Sequence, residues 1–146
     1  MEKLFKFNNL TLTKNINGVT VVLELASSED SDICISEMDK NNVKNGISIH
    51  YVKTKGGFVP LNLQVYETGV CGKSYSFDYA TGIFTQFVEF SNGCELVGMD
   101  KRTINKHKSE ADNYYKQAKN MLDEFTKSKC PFTKALLYNE FGITSK

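Results

Sequence analysis

Apolar and polar residues alternate along the first hundred positions of this chain and then change period. "KLFKFNNLTLTK" sets Leu4 and Lys6 against Phe5 and Phe7, then Leu10 and Leu12 against Thr11 and Thr13. A period of two is the signature of strands with one face buried. Asn17-Gly18 is a hairpin turn signal. "GVTVVLELAS" is β-branched and apolar, as a central strand is. "SSEDSD" reads as a polar loop, "ICIS" as a short edge strand, and "DKNNVKNG" as a turn-rich loop. "ISIHYVKT" alternates again, with Ile47, Ile49 and Tyr51 against Ser48, His50 and Val52. In "FVPLNLQVYE", Pro60 calls for an edge or a bulge. "SYSFDY" and "IFTQFVEF" form the clearest hairpin, joined around Ala80-Thr81-Gly82. Asn92-Gly93 turns the chain into "CELVGM". Every connection is too short for a parallel crossover, so about six to eight antiparallel strands are predicted.

From Asp100 the period becomes helical. Ile104, His107, Ala111, Tyr114, Ala118, Met121 and Phe125 recur at spacings of three and four. That predicts an amphipathic helix of about seven turns, with Asp100 as N-cap. Pro131 and Gly142 then sit where a second, shorter helix would start and stop, with Phe132, Leu136 and Phe141 on its apolar side. The predicted fold class is α+β: an antiparallel sheet followed by two C-terminal helices. One domain covers 1–146, with a β-rich part at 1–99 and a helical part at 100–146.

Size and composition agree with a single folded domain. At 146 residues and 40% hydrophobic content, the chain can bury a core without staples. No apolar run approaches a membrane span, and the first ten residues hold no signal-peptide core, so a cytoplasmic protein is expected. Cys34, Cys71, Cys94 and Cys130 show no zinc spacing and read as free thiols, so neither a metal nor a cofactor is expected.

Charge adds a direction. From Lys101 onward ten cations face five acids, leaving the first hundred residues at −4 of the net +1. Residues 24–39 hold six acids and no Lys or Arg. Such a dipolar chain suits self-association, hence a homo-oligomer, or an anionic ligand at one end. It is too weakly basic for a dedicated DNA binder.

Most apparent motifs dissolve on inspection. "ETGVCGKS" ends like a phosphate-binding loop, but Glu67 stands where the first glycine belongs and a strand follows instead of a helix. "FVEF" matches only the tail of an RNA-recognition strand. Catalysis by a histidine needs a partner carboxylate or a nucleophile close by; no family signature surrounds His50, and His107 falls on the apolar stripe of the helix, so no catalytic residue is assigned.

The stretch "MDKRTINKHK", residues 99–108, is different. Lys101, Arg102, Lys106 and Lys108 crowd a helix start, where cations oppose the helix dipole by about 0.3–1 kcal/mol each. With free N–H groups at the same place, they suit a phosphate or carboxylate. Arg102 is the only arginine and the only bidentate donor. Lys53, Lys55 and Lys73 are turn cations that complete the candidate ligand site if the fold brings them close. Tyr75, Phe77, Tyr79 and Phe84 are candidates for an aromatic pocket that stacks on a flat group.

Strands followed by two helices, a small size, and a lysine- and asparagine-rich composition common in low-GC genomes and their phages make an outline. In that outline the chain resembles phage sponge proteins that sequester immune nucleotide signals, including those opposing Thoeris defence. In size it resembles many anti-CRISPR proteins. The resemblance carries over no site residue. It implies a non-enzymatic binding protein, phage- or prophage-encoded, that acts against host defence by sequestering a phosphorylated, nucleotide-like signal. The alternatives are a protein–protein inhibitor or adaptor acting on a host enzyme, and a hydrolase. Neither nucleic acid nor membrane is an expected partner.

Overall fold

The computed structural model describes residues 11–25, 32–91, 94–98, 101–127 and Tyr138. Eight strands form one antiparallel sheet whose spatial order is their order along the chain: β1 Thr11–Ile16, β2 Val19–Leu25, β3 Asp32–Met38, β4 Lys44–Thr54, β5 Gly57–Glu67, β6 Val70–Phe77, β7 Phe84–Ser91 and β8 Cys94–Gly98. One helix, α1 Lys101–Thr126, follows. The second helix expected around Pro131 and Gly142 falls on residues outside the described ones, as do Met99 and Asp100. No helix among the described residues is long and apolar enough to cross a membrane.

The register explains the core. Leu12, Leu23, Ile35, Ile49, Leu63, Tyr75 and Phe87 are successive cross-strand partners from β1 to β7. Side chains directly opposite share a face, so these residues form one unbroken apolar row under the helix. All but Leu12 are buried. A helix of 26 residues is about 39 Å long, and eight strands span about 34 Å. The helix therefore covers the sheet from side to side. His107 stacks on Phe87 of β7, Tyr114 meets Tyr75 of β6, and the Tyr51 hydroxyl of β4 donates to the Ala118 carbonyl at 2.6 Å. Lys14 of β1 donates to the Glu124 carbonyl. Ala111 and Ala118 are fully buried, the small residues where helix and sheet come closest.

Two local expectations change and one holds. The "ICIS" segment lies inside the sheet, paired with β2 and β4 on its two sides. Pro60 sits at a bulge, as expected: β4 and β5 shift register between His50 and Tyr51, and the β5–β6 pairing begins only at Asn62. The turn between β5 and β6 is Thr68-Gly69, both at positive φ, so β6 has already begun at Val70. Lys73 is therefore a strand residue.

Candidate functional site: the basic flank of the helix

The first two turns of α1 contain no acidic residue in the opening turn. Lys101, Arg102, Lys106 and Lys108 are all exposed. Helical geometry, at 100° per residue, does not gather them. Lys101 and Lys108 lie on one flank, Arg102 on the crest and Lys106 on the far flank. Lys119 returns to the first flank, with Lys116 beside it toward the crest. The sheet gives that flank a direction. Tyr115 packs its ring against Phe77 at 4.9 Å and crowds Gly82 of the β6–β7 turn, and Lys119 Nζ lies 6.0 Å from the Tyr115 ring. The flank thus faces the end of the sheet where the β4–β5 and β6–β7 turns emerge. Lys53 and Lys55 are exposed in and beside the former. Tyr79 and Ile83 are about 60% exposed in the latter. Lys108 is offset by Asp112 at 3.3 Å; among the described residues no carboxylate lies within ion-pair distance of Lys101, Arg102, Lys116 or Lys119.

The opposite flank is tied to the sheet. Lys73 does not join the cations at the helix start: it lies 3.7 Å from Glu110, which also meets His107 Nδ1 at 3.3 Å. Burial works to raise the Glu110 carboxyl, but the neighbouring Tyr75 hydroxyl, His107 and Lys73 outweigh it and hold it below its ordinary range. Among the described residues the buried Tyr75 hydroxyl has no acceptor at hydrogen-bonding geometry, and burial beside Glu110 pushes it far above the usual phenol range. Lys106 and Glu110 border a shallow depression with Ser109, Asn113, Tyr114 and Gln117.

The aromatic candidates separate into core and surface. Tyr75, Phe77 and Phe84 are buried, and their faces are taken by Tyr114, Tyr115 and one another. They build the seat of the helix and leave no open stacking slot between them. Tyr79 lies beyond the end of β6, exposed.

Both histidines have carboxylate partners: Glu110, three residues from His107 on the helix, and Asp32, which only the β3–β4 pairing brings to His50. His50 Nε2 is 3.0 Å from Asp32 Oδ2 on the sheet face turned away from the helix. Cys34 is its cross-strand neighbour, yet the thiol contacts the hydroxyls of Ser36 and Ser48 at 3.6 and 3.5 Å. No nucleophile–base contact forms among the described residues. His107 lies flat against Phe87 with centroids 3.9 Å apart, a packing role. No cluster of three or more His, Cys, Asp or Glu among the described residues is placed to hold a metal ion. Comparison with protein-family models, with curated proteins and with solved structures found no match.

Proposed function

We infer that this is a non-enzymatic binding protein, an inhibitor or adaptor, that docks the acidic surface of a partner protein on the basic flank of α1. One observation carries the reading: Lys101, Lys116 and Lys119 are exposed with no carboxylate in ion-pair distance among the described residues, and Lys101 and Lys119 share the flank of Tyr115, which sits over the turn that exposes Tyr79 and Ile83. A convex row of cations beside exposed apolar residues suits a macromolecular surface, because small-molecule sites are concave and enclose most of their ligand. The second reading is a phosphorylated, nucleotide-like signal held at the helix start. The acid-free first turn and the exposed Arg102 favour it. On this convex surface it needs a second copy of the chain to close the site.

The two readings part in native mass spectrometry of protein freshly purified from its host. An inhibitor elutes in a complex that 0.5 M salt dissociates, as screening predicts on the order of a 4 Å Debye length there, and that the triple variant Lys101→Glu, Lys116→Glu, Lys119→Glu does not form. A sponge elutes as a homo-oligomer that releases a phosphorylated compound on mild denaturation and loses it in Arg102→Ala. A bare chain with neither would sink both.

A further inference from the structure

The β6–β7 turn combines a fixed backbone with an apolar surface. Asp78 organises it. Its carboxylate accepts the Ala80 N–H at 3.1 Å and the Thr81 hydroxyl at 2.9 Å, and its carbonyl accepts the Gly82 N–H at 2.7 Å. The Asp78 N–H donates to the Ile83 carbonyl at 2.8 Å, which closes the turn, and the Ile83 N–H donates to the Thr81 hydroxyl at 3.3 Å. Gly82 has φ +78° and lies under the Tyr115 hydroxyl, so glycine serves both the bend and the close approach of the helix.

The side chains that this frame presents are Tyr79 and Ile83, 60% and 61% exposed. None of the turn's hydrogen bonds uses either of them. Single apolar residues on a surface are ordinary. Two in one closed turn, beside cations that lack carboxylate partners among the described residues, have the composition of an interface core with a charged rim. A turn already fixed by its own bonds also loses little conformational freedom on binding.

The neighbours set the chemistry of what would dock there. Tyr115, against Gly82, shares its flank of α1 with Lys101 and Lys119, and Lys116 lies toward the crest. Asp78 and Asp112 have their carboxylates engaged by the turn and by Lys108. Asp123, one turn beyond Lys119, closes the basic stretch.

We propose that Tyr79 and Ile83 anchor the docking surface, and that the partner segment they receive is acidic and amphipathic. Its apolar side chains pack on the turn while its carboxylates meet Lys101, Lys116 and Lys119. The inference rests on the docking reading and adds where the affinity resides and what the contacting segment is made of. The lysines steer and orient the encounter, and the desolvated aromatic and aliphatic pair holds it.

The test is NMR titration of the intact protein with a short amphipathic peptide of glutamate and leucine, against one with alanine for leucine and one with glutamine for glutamate. Saturable shifts of the Ile83 methyl and Tyr79 ring signals are expected with the first, and affinity about tenfold weaker with each of the others. The double variant Tyr79→Ser, Ile83→Ser changes only exposed side chains, keeps the core signals of Tyr75 and Phe77, and should lower affinity for the first peptide about tenfold. Val70→Ala, 70% exposed at the other end of β6, should leave it unchanged. Equal affinity for the alanine peptide, or unchanged affinity in the double variant, overturns the anchor and leaves the basic flank as the docking surface. If neither acidic peptide shifts the amide signals of Lys101, Lys116 and Lys119, the docking reading falls with it. Shifts at Tyr79 and Ile83 on raising the protein concentration alone would make a second copy the occupant and overturn the proposal.

Discussion

At the scale of single residues, polar contacts at Tyr51 and Glu110 help to hold the helix on the sheet. Tyr51 is fully buried, and burial pushes its hydroxyl well above the usual phenol range, so it remains a donor to the Ala118 carbonyl. Tyr51→Phe removes that one bond without opening a cavity. The expected loss is about 1 kcal/mol in denaturant unfolding, with an unchanged m-value. Glu110 gives a pH-dependent contribution. Its carboxyl is held below the ordinary range in the folded chain. A depressed carboxylate stabilises the fold above its unfolded pKa, and that stability is lost as pH falls through the folded pKa. Wild type should therefore exceed Glu110→Gln in Tm near neutrality, and the gap should close on acidification below the usual carboxylate range. With Glu110 about a third exposed, solvent screening keeps the difference below about 1 kcal/mol. A gap that widens in acid would contradict the assignment. Helical spacing alone pairs His107 with Glu110, but Lys73 is 37 positions from Glu110, and only the crossing of helix over β6 brings it in.

At the scale of elements, the strands and the long helix were legible because each depends on local period. Asn17-Gly18 adopts positive φ at both residues, as an Asn-Gly hairpin turn requires. The apolar stripe named from spacing supplies Ala111, Ala118, Met121 and Phe125, the buried residues of α1. What spacing could not give was strand position. "ICIS" is short and polar enough to resemble an edge, yet Ser36 and Ser48 are buried and bond each other at 2.8 Å, which lets hydroxyls occupy the middle of a sheet. Closeness of helix and sheet was equally hidden. It rests on the small side chain of Ala118 above Tyr51. Ala118→Leu should lift the helix and cost about 1–3 kcal/mol by overpacking, read as a lowered denaturation midpoint. An unchanged midpoint would mean that the helix is not seated so closely.

At the scale of the whole molecule, the direction in which the helix crosses the sheet decides which of its charged side chains meet a partner on the strands. One flank of α1 looks toward the β4–β5 and β6–β7 turns and carries Lys101, Lys119 and the Lys108–Asp112 pair, with Lys116 toward the crest. The other is pinned by Lys73 and Glu110. The proposed docking flank therefore makes few internal contacts. The triple Lys→Glu variant should change Tm by no more than a few degrees while abolishing salt-sensitive complex formation. A variant that unfolds would show that the flank is structural. The amino-acid sequence by itself determined the antiparallel strands, the helix after them and the excess of cations at its start, because period, turn chemistry and charge are local properties of a chain. Only the tertiary structure decided which cations remain free, which rings are spent in the core, and that Asp32 meets His50. Those are questions of proximity between distant positions, and they are settled by the sheet register and by where a 26-residue helix lies across eight strands.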